Sequence, residues 1–251
     1  MGSSFEIVDL RDYRSETLLW EFYEHLYLPA FPMKDEQEHP GIWSVLLWGS
    51  NLGPPNPTLH CLLLGQDLRR PGHAQIMGGH LFEYYKESSC GLLTYLVILP
   101  RYKGKSLARL LLEKAFLILE RDASCAGKEL KGVFAEANDP VAFSPNEDAM
   151  SPVQRLRILS RLGARIIDIP YVQPALIRGH RRVRHLLLLW FDYPGSKERS
   201  IPRPVLMGFL HELYRALGIS HPEKDSDFRN MLAYTDAQGE FMHLMRIRDQ
   251  L

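Results

Sequence analysis

The stretch from Gly91 to Arg121, GLLTYLVILPRYKGKSLARLLLEKAFLILER, limits what this chain can fold into more than any other. Its apolar run of Leu92, Leu93, Tyr95, Leu96, Val97, Ile98 and Leu99 stops at Pro100 and reads as a strand. From Ser106 onward Leu107, Leu110, Leu111, Leu112, Ala115 and Leu119 recur with a helical period. Between the two lies Arg101-Tyr102-Lys103-Gly104-Lys105-Ser106, with one glycine, a small residue at the helix start and three cations. A glycine-bearing loop that feeds a helix N-terminus presents unpaired backbone N–H groups and the positive end of the helix dipole. Such a loop is an anion site, of a size to take a pyrophosphate.

Two common nucleotide signatures do not fit it. The P-loop requires GxxxxGK[ST], and the dinucleotide fold requires GxGxxG with an acidic residue about 20 positions on. The segment instead follows R-x-x-G-x-[GA], except that Ser106 stands where the second glycine is expected. In this it resembles the acyl-CoA pyrophosphate loop of the GNAT acyltransferases. Serine is small enough to preserve the close approach, though it gives less backbone freedom than glycine.

The order of elements along the chain agrees with that resemblance. Phe5 to Leu10 alternates as a strand, and Ser15 to Leu28 is amphipathic with Ser15 as its cap. Asp35 to Trp48 predicts a second helix that Pro40 and Gly41 divide, with Trp43 and Trp48 as core residues. Strands follow at Thr58 to Gly65, at Gln75 to Tyr85 with Gly78-Gly79 inside it, and in the run that ends at Leu99. Short turns between them imply an antiparallel meander. After the central helix come a strand at Gly132 to Asn138, a helix from Pro152 to Gly163, and strands at Ala164 to Leu176 and Arg181 to Phe191. Pro170 and Pro174 make the first of these an edge or irregular strand. The expected fold is mixed α/β: a twisted, mainly antiparallel sheet with helices on both faces over residues 1–194, and a helical extension over 195–251 packed on it. Stripes at Leu206 to Leu217 and Phe228 to Ile247 supply the extension's helices, for packing, for a lid or for a homodimer contact.

What the resemblance implies for chemistry can be placed residue by residue. The family holds the pantetheine arm on the backbone of its fourth strand, which puts Leu96, Val97, Ile98 and Leu99 there beside the loop residues 101–106. Strand five reads Phe134-Ala135-Glu136-Ala137-Asn138. Ribosomal-protein alanine acetyltransferases carry L-E-V-x-x-x-N at that place, which implies Glu136 as general base and Asn138 on the cofactor side, although the interval between them departs from that pattern. Glu83, beside Tyr84 and Tyr85, is the alternative base. Many members have a general-acid tyrosine in Y-x-x-L-G; here Leu159-Ser160-Arg161-Leu162-Gly163 puts leucine in its place, and Tyr171 is the nearest substitute.

Composition excludes several other classes. Thirty basic and thirty acidic residues balance, so there is no global field for nucleic acid. No apolar run approaches the roughly 20 residues of a membrane span, and the N-terminus shows no secretory pattern. Three cysteines, Cys61, Cys90 and Cys125, lack CxxC spacing, and the ten histidines show no HExxH, so no metal site or disulfide framework is expected and a reducing cytoplasm is the expected compartment. Arg178, Arg181, Arg182 and Arg184 form a basic cluster suited to the 3′-phosphate of coenzyme A or to a solvated strand start. The resemblance thus implies transfer of an acyl group, acetyl being the simplest, from acetyl-CoA to the amine of a small molecule or peptide. A silent acyl-CoA-binding or partner-binding module on the same scaffold is the alternative.

Overall fold

The computed structural model describes residues 5–34, 37–50, 52–70, 72–143, 149–176, 179–193 and 200–247. The residues Asp35, Arg178 and 195–199, which entered the expectations above, lie outside that set. Strand β1 (Glu6–Asp9) is followed by α1 (Glu16–Phe22), α2 (Leu28–Ala30) and α3 (Pro40–Trp48). The meander β2 (Thr58–Gln66), β3 (Gln75–Tyr85) and β4 (Cys90–Ile98) then leads into α4 (Leu107–Cys125) and β5 (Gly132–Asn138). After α5 (Pro152–Arg161), β6 (Ala164–Ile167) and β7 (Leu186–Phe191) come β8 (Ile201–Pro202), α6 (Arg203–Ala216), α7 (Ser226–Gln238), β9 (Phe241–Met242) and β10 (Leu244–Met245). Eight strands form one sheet in the order β1-β2-β3-β4-β5-β7-β6-β10. Every neighbouring pair in it is antiparallel except β4 with β5.

The alternation of strand side chains sorts them into two layers. Phe82 and Tyr84 of β3 enter a core under α4 and α5. Leu81 enters a second core under α1 and α3, on the other face, and Tyr85 a third, on that same face, under α6. Gly79 allows α1 to sit close, because a Cβ there would lie 2.4 Å from the Phe22 ring. Ser15 caps α1, accepting a hydrogen bond from the Leu18 N–H at 3.3 Å. The helix then continues as a π turn over Tyr23–Tyr27 instead of running regularly to Leu28. Pro40 does not divide α3 but occupies its first turn, where its missing N–H costs nothing.

The second half departs further from the sequence expectation. The strand read from Ala164 to Leu176 ends at Ile167, and the one read from Arg181 begins at Leu186, because Pro170 and Pro174 take the chain out of the ladder. Among the described residues only the isolated bridge Gln173–Val183 joins the two arms there. The extension is helical only in part. After α7, β10 pairs with β6 at the sheet edge, and Ile247 is buried in the core under α4. The apolar stripe of α6 (Leu206, Phe209, Leu210, Leu213) is buried against Tyr85, Leu92, Phe134 and Trp190 of the same chain. Glu212 of α6 fixes the β3–β4 turn, accepting from the Glu87 N–H at 2.8 Å and the Ser88 N–H at 2.7 Å. Of the basic cluster, Arg182 and Arg184 are paired with Asp225 and Asp227 at the start of α7, so these two guanidinium groups are spent inside the fold. No helix among the described residues is long and apolar enough to cross a membrane.

One buried ion cluster locks the N-terminal strand to the central helix. His60 of β2 is fully buried, with Nδ1 2.7 Å from Asp9 of β1 and Nε2 2.8 Å from Asp122 near the end of α4. Both ring nitrogens face carboxylates, so both must donate and the ring is imidazolium. Burial works against that charge, but the bonds to Asp122 and Asp9 and their charges outweigh it and raise the His60 pKa. A raised histidine pKa adds stability that is whole below the unfolded value near 6.5 and is lost as pH climbs through the folded one. The stability gap between the parent and His60→Leu in urea unfolding is therefore expected to be larger at pH 6 than at pH 9. An equal gap at both pH values would show a neutral ring.

Candidate active site

The site begins at a break in the sheet. Along β3 and β4 the pairing shifts register, with Leu81 opposite Tyr95 and Phe82 opposite Leu93, so Thr94 is an extra residue in β4. Its hydroxyl donates to the Leu81 carbonyl at 2.9 Å and pins this bulge. A bulge bends its strand and adds twist. Just before it, the parallel pairing of β4 with β5 runs from Cys90–Gly132 to Leu93–Ala135 and ends. Beyond that point β5 stays paired with β7, while the outer edge of β4 from Thr94 to Ile98 has no strand beside it among the described residues.

A cavity of about 910 Å³ occupies this divergence. At its outer end lies the loop from Arg101 to Ser106. Pro100–Tyr102 makes a 3-10 turn; Gly104 has φ of 80° and open space where a Cβ would be. Lys103, Gly104, Ser106, Leu107 and Ala108 line the cavity. The backbone N–H groups of Gly104 and Lys105 make no backbone hydrogen bond among the described residues, and the first N–H groups of α4 are free by helix geometry. Arg101 and Lys105 both stack on Tyr102, at 5.0 and 5.4 Å from its ring centre. Leu96 and Ile98 also line the cavity, whereas Val97 and Leu99 turn to the core under α1 and α3. Strand alternation explains that split, and with the Leu99 N–H bonded to the Met77 carbonyl on the β3 side at 2.9 Å, it is the backbone groups of the alternate residues Leu96 and Ile98 that face the open edge.

At the inner end three carboxylates, Glu38, Glu83 and Glu136, line the cavity and Glu83 feels the charge of the other two. Glu136 receives the Tyr171 hydroxyl on Oε1, and Gln173 Nε2 on Oε2 at 2.7 Å. Tyr171 and Gln173 come from the irregular segment that Pro170 and Pro174 free from the sheet. The Tyr171 ring lies outside the cavity wall, and its proton points to Glu136. Glu83 is 8% exposed and accepts from the Tyr85 hydroxyl at 2.7 Å. Burial, then the charge of Glu38, and a smaller push from Glu136 raise its pKa to about 8 against the bond from Tyr85. Glu38, just before α3, is raised by burial and partly relieved by the Trp43 Nε1–H at 3.0 Å. Its backbone N–H is held by the hydroxyl of Tyr27 at 2.9 Å, a residue of the π turn. Asn138 is buried and lines the cavity, and Leu159 lines it too.

Sequence reading singled out Glu83 and Glu136 separately, and the structure brings them to one cavity. It missed Glu38 and Gln173, which carry no local pattern, and His80. That histidine lines the cavity on the α4 side, 1% exposed, with neither ring nitrogen hydrogen-bonded among the described residues. Burial holds its pKa down to about 3 despite the nearby Leu111 carbonyl, so the ring is neutral. No cluster of three or more His, Cys, Asp or Glu suited to a metal ion occurs among the described residues.

No family model and no curated protein matches this sequence. Among solved structures, a protein from Bacteroides thetaiotaomicron assigned to the GNAT acetyltransferases superposes with a TM-score of 0.53 at 15% identity, over 86% of this chain and 98% of that one. The chain has the GNAT fold. A ribosomal-protein alanine N-acetyltransferase from Escherichia coli is also similar, with a TM-score of 0.45 at 16% identity, over 78% of this chain and 99% of that one. So is a chain of the NatC complex bound to Gag peptide and CoA, with a TM-score of 0.46 at 12% identity, over 76% of this chain and 99% of that one.

Within this GNAT fold Ser106 stands at the helix start with φ of 59° and ψ of 13°, the left-handed region, and its side chain caps nothing. An L-residue there is strained by about 1 kcal/mol relative to glycine. Ser106→Gly is expected to raise unfolding stability by about 0.5–1 kcal/mol, read from the urea midpoint. A lower midpoint would show that the serine hydroxyl holds the loop in a way its geometry does not reveal.

Proposed function

We propose that this protein transfers an acyl group, acetyl first among them, from acyl-CoA to an amine. The observation that carries the reading is the free edge of β4 leading from a cationic, N–H-rich helix start to a group of carboxylates. Residues 101–106 and the first turn of α4 would hold the pyrophosphate, and the edge of Thr94 to Ile98 would pair with the amide groups of pantetheine. The bound thioester supplies an electrophilic carbonyl carbon. A C–N bond forms there, the C–S bond breaks, and the chain must accept the proton that the amine gives up. Glu136, aligned by Tyr171 and Gln173, draws in the ammonium and takes that proton, directly or through water.

Glu83 tunes the cluster. Three neighbouring carboxylates cannot all ionise cheaply, and with its pKa near 8 Glu83 keeps a proton at neutral pH. A cationic acceptor relieves that repulsion. Activity that needs the ionised form of Glu83 therefore rises as pH approaches 8. The thiolate, with an ordinary pKa of about 8.5, leaves without a tyrosine at the Leu159 position. That leucine in the cavity wall is also the one feature favouring a second reading, acyl-CoA binding without transfer.

Gly104→Glu places bulk and negative charge where the pyrophosphate would sit. It is expected to abolish acetyl-CoA binding in calorimetric titration while the circular dichroism spectrum stays that of the parent. Binding equal to the parent's would remove the loop from the site. Glu136→Gln is expected to lower kcat by about 10²-fold with acetyl-CoA affinity retained, and Glu83→Gln to flatten the rise of kcat/KM toward pH 8. Parent rates and an unaltered pH profile in both variants would take the proton-transfer role away from this cluster.

A further inference from the structure

Neighbouring outward positions on β3 meet different partners. Leu81 enters the core under α1 and α3, Tyr85 the core under α6, and Glu83 between them lines the cavity. Glu83 thus stands at the seam between the N-terminal helices and the C-terminal extension. Glu136 faces the same side, since Phe134 two residues before it stacks on Phe209 of α6 with ring centres 4.1 Å apart. Each bank of the seam gives hydrocarbon to the cavity: Ile42 and Leu46 from α3, and Leu213, Ala216 and Leu217 from the end of α6. The cations that line the cavity, Lys103, Arg109, Arg155 and Arg161, come from the loop, α4 and α5 on the opposite face, and of these Arg155 reaches across to the ring of Phe31, 5.7 Å from its centre.

Resting on the acyl-transfer reading above, we propose that the acceptor is a primary amine with one cationic head on an apolar body, seated between α3 and α6 with its ammonium at Glu83 and Glu136. The acidic groups are gathered together: Glu38, Glu83 and Glu136 line the same cavity, close enough for Glu83 to feel the charge of the other two. A polyamine or aminosugar would have to place the cations or hydroxyls that Glu38, Asn56 and Gln173 do not take against Ile42, Leu213 and Leu217, which is unfavourable. An alkyl or aryl body gains from the same surface. Ile42 is 41% exposed although it forms cavity wall, as a residue awaiting such a body would be. The extension, in this account, builds the acceptor pocket as well as covering the sheet.

Thiol release from acetyl-CoA, measured with 2-phenylethylamine, spermidine and glycinamide, tests the proposal on the full chain. The expected result is a kcat/KM for 2-phenylethylamine at least tenfold above either of the others. Ile42→Ser and Leu217→Ser are each expected to raise the KM for 2-phenylethylamine about tenfold, with the Kd for acetyl-CoA unchanged in titration. A preference for spermidine, glycinamide used as well as 2-phenylethylamine, or an unmoved KM in both variants would overturn the substrate class and leave acyl transfer standing. Acetyl-CoA bound but no amine acylated would instead overturn acyl transfer itself, and the substrate class with it.

Discussion

Parallel pairing between β4 and β5 lasts four residues, from Cys90 to Leu93, and the rest of the site depends on where it stops. Four residues are enough to hold two strands and the helix between them in one sheet. A fifth would close the edge that a linear ligand needs. The extra residue Thr94, fixed to Leu81, turns β4 away at that point, and the unpaired edge then runs to the start of α4. Buried backbone groups demand partners, so an edge opening into a cavity is an unfinished ladder that an extended ligand can complete. The positive end of α4 and the cations of its loop lie at one end of that ladder, and carboxylates at the other.

The two faces of the sheet divide the work. On one, α4 and α5 flank the loop and carry the cations. On the other, α3 and α6 flank the carboxylates and give apolar walls. The α6 half of that second face exists because the extension folds back: Phe209 stacks on Phe134, and Glu212 satisfies the β3–β4 turn. Acidic groups in such surroundings are uncomfortable, as the upward shift of Glu83 shows. Perturbed carboxylates in a cavity are a common mark of a functional site. The ion cluster around His60 is the opposite case, a buried charge with every partner supplied and no access to the cavity lining.

Local signals made part of this legible in the sequence. The helical period from Leu107, the stop at Pro100 and the strand Gly132–Asn138 are statements about neighbouring residues, and the structure keeps them. The break between β4 and β5 left no such trace, because a bulge at Thr94 is a property of three strands together. The prolines 170 and 174 signalled an irregular strand, but not that the irregular segment delivers Tyr171 and Gln173 to Glu136. Glu38 is one of three acids in the polar run Lys34-Asp35-Glu36-Gln37-Glu38 and becomes notable only when the π turn brings Tyr27 to its N–H. Arg182 and Arg184 read as a free basic patch because their partners, Asp225 and Asp227, lie some forty positions away. The two-residue strand β10 is too short to show a period.

Hydrogen exchange with and without saturating acetyl-CoA tests most directly whether the open edge of β4 is the binding line. The account predicts slower exchange in peptides covering Thr94 to Leu99 and Gly104 to Arg109, with β1 and β2 unaffected. Protection confined to other segments, or no change at all at saturation, would contradict it.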